Sequence, residues 1–313
     1  MRYYVEKLGI YYEVREGDTE ERIQGSTGNN SGRNSFDKYI VICDSDKKIN
    51  ETIIPEYIND MPVKTVDKKA FLGCKGLRQI RLPRGIDSIG EWAFAFCDNL
   101  MVVELSRNDI RWGKGVFKND RKLRRITIYP DCSSDPQTCR LLAATPVIMD
   151  AEYLLDIKHA GNPEWIRKWD TRLEHILNLA DDEGYHLYVL CGEEDLHFDY
   201  EEYLEYNREK KSELCMLRLI NDKYLNEGFR SRLSEYIKEH TAGCVSDAAI
   251  RILLKAHGDE QEYYKLLLDT GAISNANLEL VLAAMGDRHA QMKAYLIEQC
   301  NGASAGFFDD LML

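Results

Sequence analysis

From about residue 53 to residue 129 the apolar positions fall into columns that recur every 23 residues. Ala70-Phe71, Ala93-Phe94 and Val116-Phe117 fill one pair of columns, and Cys74, Cys97 and Asp120 follow each Phe at a fixed offset. Leu77, Leu100 and Leu123 come next, then Ile80, Val103 and Ile126, then Leu82, Leu105 and Ile128. Val66, Ile89 and Trp112 form a further column, and Val63 matches Ile86. A fixed period of this length is the signature of a solenoid built from stacked units.

Within each unit the L-x-x-I-x-L run alternates inward and outward as a short strand requires. The A-F-x-x-C run supplies a compact turn whose Phe points into the same core. One unit cannot bury both of its sides, so units stack and share a continuous interior. The chain holds about three units, so both ends need caps. Residues 1–16 with 39–43, rich in Tyr, Val and Ile, are expected at the N-terminal end, and the following helical half at the other. The outward strand positions form two columns, Gln79, Val102 and Arg125 beside Arg81, Glu104 and Thr127. This concave strand face, mixing charge, polarity and one aliphatic, is the expected site for a protein partner.

After Tyr129-Pro130 the period changes from two to near 3.6. Helices are expected at about 137–144, 150–159, 163–181, 199–225, 228–240, 246–257, 259–270, 274–285 and 287–299. Asp199, Ser246, Asp259 and Asp287 stand near helix starts, and Gly258, Gly271 and Gly286 at breaks. A second, weaker repeat at a spacing of 28 aligns Leu254 with Leu282, Gly258 with Gly286, Asp259 with Asp287, Lys265 with Lys293 and Leu268 with Leu296. Trp165, Trp169 and Leu173 form a helical stripe of the kind that packs a core. Glu201, Glu202, Glu205 and Glu209 form a charged flank read as solvated. The fold class is therefore α+β: a solenoid domain over 1–130 and an all-helical domain of hairpins over 131–313.

Composition narrows the function. With 44% hydrophobic and 30% charged residues and seven prolines, the chain has the make-up of a folded protein. It contains no run long and apolar enough for a membrane helix. Residues 51–130 carry 15 Lys+Arg against 10 Asp+Glu, and residues 131–313 carry 18 against 34. The basic excess of the middle segment is too diluted by carboxylates for a nucleic-acid surface. Segment 17–38 is a polar loop without the Gly-Lys-Ser/Thr of a phosphate cradle. Nine cysteines, an odd number without a CxxC, suit reduced thiols. Cys132 and Cys139 have a spacing that permits a disulfide only in an oxidising compartment. The N-terminus lacks the uninterrupted apolar core of a secretory signal, so a cytoplasmic location is expected. His186, Cys191 and His197 lack the tight spacing and close fourth ligand of a zinc site. No catalytic residue, metal or cofactor is expected.

The stretches VKTVDKKAFLGCKGLRQIRLPRGIDSIGEWAFAFCDNLMVVEL and IIPEYINDMPV resemble the BspA-like leucine-rich repeats of bacteria. That resemblance implies a curved solenoid with a parallel strand ladder and protein-binding roles, including surface adhesion in many members. YYKLLLDTGAI resembles an ankyrin helix leading into its turn, though the period is shorter and the usual TPLH turn is absent. YVLCGEEDLHFDYEEYL, HGDEQEYYKLLLDTGAI and the final GFFDDLML resemble cytoplasmic bacterial proteins that join such repeats to a helical region. Together these readings predict a non-enzymatic scaffold or adaptor for a protein partner, with no nucleic acid or membrane bound. A surface or secreted adhesin is the alternative, and an enzyme or metal protein with its site in the helical half is the third reading. The tail, through Phe307, Phe308 and Leu311, is expected either to dock on its own helices or to serve as a peptide for a partner's groove.

Overall fold

Each repeat forms one coil with three hydrogen-bonded edges. The computed structural model describes residues 1–17, 38–106, 109–129, 135–186 and 199–309, the last without the side chains of 302–309. One edge is a sheet in which β1 (Tyr3–Val5), β2 (Ile10–Glu16) and β3 (Lys38–Ser45) pair antiparallel. β6 (Met61–Val66), β8 (Ser88–Ile89) and β10 (Arg111–Trp112) continue it in parallel, and β5 (Tyr57–Ile58) pairs with β6. A second edge is a parallel ladder of β4 (Glu51–Ile53), β7 (Gln79–Arg81), β9 (Val102–Ser106) and β11 (Arg125–Tyr129).

The A-F-x-x-C turns form the third edge. Lys69, Phe71 and Gly73 donate their N–H groups to the carbonyls of Glu91, Ala93 and Ala95, at 3.0, 2.7 and 2.9 Å. Trp92, Phe94 and Phe96 donate in the same way to Lys114, Val116 and Lys118. Coils approach so closely here that a Cβ at Gly90 would lie 2.4 Å from the Lys68 nitrogen, and one at Gly113 2.3 Å from that of Glu91. Glycine is therefore required at both positions. Inside, Phe71, Phe94 and Phe117 stack with centroids 5.1 and 5.6 Å apart. Ser45, Cys74, Cys97 and Asp120 line a buried polar strip: Cys74 Sγ lies 3.1 Å from Ser45 Oγ, Cys97 Sγ donates to the Phe71 carbonyl, and Asp120 accepts from the Cys97 N–H.

The ladder has about four turns, one more than the 23-residue columns reveal. The first coil is longer because the β5–β6 hairpin, turning at Asn59 and Asp60 with φ of 49° and 62°, is inserted in it. At the far end α1 (Pro136–Val147), N-capped by Asp135, packs on β11. The third turn has no following coil, and there Glu152 Oε1 takes the Gly115 N–H at 2.7 Å. A helix expected at 150–159 is instead a single 3-10 turn, Glu152–Leu154. Asp150 at φ 51° breaks the helical run and lets Leu154, Leu155 and Ile157 turn inward.

The chain divides into two compact units, Met1–Lys168 and Trp169–Leu313, with the boundary inside α2 (Pro163–Asn178). The change of texture at residue 130 marks where strands end, whereas the unit holding the solenoid extends through α1. The second unit contains α3 (Tyr200–Ile220), α4 (Glu227–Glu239), α5 (Ala248–Ala256), α6 (Gln261–Asp269), α7 (Leu278–Met285) and α8 (Ala290–Asp309). The 28-residue spacing superposes α5 on α7 and α6 on α8, which is a repeat of helical hairpins. Buried Arg218 fastens this unit, holding both Asp170 oxygens (2.5 and 3.0 Å) and the carbonyls of Asn221 and Lys223. Trp165, Trp169 and Leu173 are all buried, as a packing stripe requires.

Candidate partner-binding face

The outward residues of the β4–β7–β9–β11 ladder form two columns in strict register. Glu51, Gln79, Val102 and Arg125 pair along one, and Ile53, Arg81, Glu104 and Thr127 along the other. All six outward positions expected from the sequence are therefore brought together, each on its expected neighbours. Their inward companions Ile80, Val103 and Ile126 are buried, so this side of the ladder faces away from the core. Glu51 and Ile53 were missed. They stand 28 residues before Gln79 and Arg81 rather than 23, because of the inserted hairpin. The exposed Glu-x-Ile alternation was the available signal.

Glu104 organises the face. Its Oε1 accepts from Gln79 Nε2 at 2.6 Å and its Oε2 from Arg81 Nε. The Glu104 side chain is only 13% exposed, so these bonds act in a partly desolvated setting where charge-assisted bonds are strong. The bond to Glu104 outweighs desolvation and raises the Arg81 pKa. The same guanidinium lies 5.1 Å from the centre of the Tyr129 ring, whose hydroxyl donates to the Leu82 carbonyl. Burial raises the Tyr129 pKa, so its hydroxyl stays a donor. Two groups remain available. Arg125 is exposed and has no carboxylate partner among the described residues, and Ile53 is 60% exposed. The face thus offers one unpaired cation, a fixed hydrogen-bonding centre, and aliphatic surface at Ile53 and Val102.

The other sequence candidates lie elsewhere. His186 is exposed, while Cys191 and His197 fall outside the described residues. No cluster of three or more His, Cys, Asp or Glu able to hold a metal occurs among the described residues. Cys139 is buried in α1, and Cys132 lies outside the description. Segment 18–37 and Leu311 also lie outside it, and Phe307 and Phe308 have only their helical backbone described. The glutamate flank of α3 is not simply solvated, contrary to what its spacing suggests. Glu205 binds Arg208 and Arg251, and Glu209 binds Arg251 and Lys255 at 3.2 Å each, so these carboxylates join α3 to α5 instead of being merely solvated. In the helical unit, His257 is held by Glu260 at 3.0 Å and stacked on Tyr263, buried away from solvent. An open groove of about 700 Å³ is lined by Arg230, Lys238 and Lys265 together with Asp222, Glu235 and Asp269, and so carries both signs of charge.

The three-edged coil, stacked Phe column and parallel outer ladder coincide with a match to the family model described as the BspA type leucine rich repeat region (6 copies), over residues 43–139. Those residues are a BspA-type leucine-rich repeat region. The match begins inside β3, in agreement with the additional coil found there. A crystal structure of a T. pallidum leucine-rich repeat protein is similar at 26% identity, covering 30% of this chain and 44% of that one, with a TM-score of 0.25. The match spans under half of that protein's length. No curated protein matches the chain. A leucine-rich repeat region of this type supports a protein-interaction or adhesin-like role in general. No helix among the described residues is long and apolar enough to cross a membrane.

Proposed function

We propose that this chain is a non-enzymatic scaffold or adaptor that binds a protein partner on the outer face of the β4–β7–β9–β11 ladder. The observation that carries the reading is the pre-set Glu104 centre, already held by Gln79 and Arg81, between exposed Ile53 and unpaired Arg125. A partner meets a face whose central side chains are ordered before it arrives, which lowers the entropic cost of association. A cytoplasmic location accords with the thiols: Cys74, Cys97, Cys139 and Cys215 are free and buried, as expected in a reducing compartment.

A photo-crosslinking residue placed at Val102 tests the face in the native host, with the same residue at exposed Asp87 as control. The expected result is a discrete crosslinked species from position 102 that is lost when Arg125→Glu is added. Equal crosslinking from both positions, or retention in the Arg125→Glu variant, defeats the proposal.

A further inference from the structure

Two positions in every turn take a left-handed backbone. The first is held by Lys69, Trp92 and Gly115, with φ of 63°, 56° and 65°, and the second by Gly73, Phe96 and Asn119, with φ of 68°, 60° and 65°. Glycine and asparagine suit this conformation, and bulky side chains resist it. The middle coil nevertheless places an aromatic residue at both positions. The ladder imposes the strain, because Trp92 and Phe96 donate their N–H groups to Lys114 and Lys118 at 3.1 and 2.9 Å. Both rings nevertheless stay partly exposed, Trp92 at 37% and Phe96 at 40%. Strained residues that also present aromatic surface to solvent point toward a binding role.

The surroundings of Trp92 form a platform. A Cβ at Gly115 would lie 2.8 Å from the indole Cδ1 and Nε1, so the missing side chain there is what admits the ring. Lys69 Nζ lies 5.2 Å and Lys118 Nζ 5.8 Å from the ring centre. The acidic groups of this edge are already engaged: Glu91 with Lys68 at 2.6 Å, Asp98 with Lys75 at 3.6 Å, and Glu152 with the Gly115 N–H. Lys69, Lys114 and Lys118 are exposed and form no close ion pair among the described residues, although Lys69 and Lys114 lie within the field of Glu91.

We propose that this turn edge is a second binding surface, recognising an acidic peptide segment of a partner protein. Its carboxylates meet Lys69, Lys114 and Lys118, and an apolar side chain between them lies on Trp92 and Phe96. Charge complementarity selects the acidic segment, and the aromatic pair adds the apolar anchor typical of interface centres. The surface is separate from the outer ladder face, so either can fail without the other.

Fluorescence anisotropy of the labelled peptide EEDLFEEDLFEE with the full chain tests this, with KKKLFKKKLFKK as control. Trp92→Gly with Phe96→Asn installs residues that the third coil already carries at these backbone positions, so the variant should stay folded, checked by circular dichroism and a cooperative thermal melt. Binding of the acidic peptide should weaken about tenfold or more in that variant, and equally in Lys69→Glu with Lys118→Glu. Absent binding of the acidic peptide, or equal binding by wild type and both variants, overturns the proposal. Retention on phosphatidylserine vesicles without a peptide signal also overturns it, by assigning the lysines to a lipid surface.

Discussion

Replacing Asp120 with Asn should change how the stability of the solenoid depends on pH. Asp120 occupies the column of Cys74 and Cys97 and is fully buried. Its Oδ1 accepts the Cys97 N–H at 2.8 Å, and its Oδ2 has no hydrogen-bond partner. Burial raises its pKa to about 8, with Asp98 adding to the shift and the Cys97 bond opposing it. In the unfolded chain the carboxyl titrates near 3.8, the ordinary value for an aspartate. Between these values the folded protein holds a proton that the unfolded chain has released, so stability falls as pH rises. The slope is roughly 1.4 kcal/mol per pH unit, with the contribution fully present below the unfolded value and lost by about pH 8. At neutral pH the accumulated loss is about 4 kcal/mol, a large part of a typical domain's stability. Asn keeps the acceptor for Cys97 but leaves an unpaired buried amide, an offset of about 1–3 kcal/mol that does not vary with pH. The slope is therefore the diagnostic. Urea unfolding followed by circular dichroism should show the stability of Asp120→Asn relative to wild type rising by about 3 kcal/mol from pH 5 to 7.5. A difference that stays constant across that range would refute the reasoning, since Asp120 would then be ionised in the folded state.

Three further perturbations test the packing inside each unit, two in the solenoid and one in the helical unit. Gly90→Ala drives a Cβ against the Lys68 backbone and should cost about 2–3 kcal/mol in urea unfolding, whereas Gly73→Ala, with open space around it, should cost only the roughly 1 kcal/mol of an alanine held at φ 68°. Glu152→Ala removes the acceptor that ends the turn ladder and should lower stability by about 1–2 kcal/mol, with faster amide exchange at Gly115. Asp170→Ala leaves Arg218 buried and unpaired and should cost about 3–5 kcal/mol, much of which Asp170→Ala with Arg218→Met should restore.

What could be read in the sequence follows from which forces are local. The columns through Phe71, Phe94 and Phe117 were visible because each coil repeats one packing problem at a constant spacing. From that spacing the outward columns of the ladder followed, since the period of a strand leaves no choice about which side chain faces out. The additional coil was hidden by five extra residues, which shift Glu51 and Ile53 out of step without disturbing their pairing. The bonds from Gln79 and Arg81 to Glu104 cross 25 and 23 residues, and they become apparent only once the strands are laid side by side. The ion pairs of Glu205 and Glu209 with Arg251 and Lys255 were invisible for the same reason, because a helix face shows its charges but not the helix opposite. At 150–159 the apolar spacing suited a helix, and the left-handed Asp150 and the demand of Gly115 for an acceptor prevailed over it.

The two surfaces differ in how they relate to folding, and that difference orders their claims to function. On the outer ladder face local preference and fold agree: Val102 and Thr127 are good strand residues, and Glu104 finds its partners within its own sheet. Such a face would look much the same whether or not a partner used it. In the turn of the middle coil they disagree. Positions 92 and 96 hold Trp and Phe where the sister coils show that Gly, Lys or Asn serves the backbone equally well. Natural sequences are mostly consistent from local to global level, and departures concentrate where a protein does something besides fold. Trp92→Gly with Phe96→Asn should therefore leave the coil folded while removing a function, whereas Arg125→Glu should leave stability unchanged and alter only what the ladder binds. A folded turn variant that still binds its peptide would return those aromatics to the class of tolerated accidents, and leave the ladder face as the stronger site.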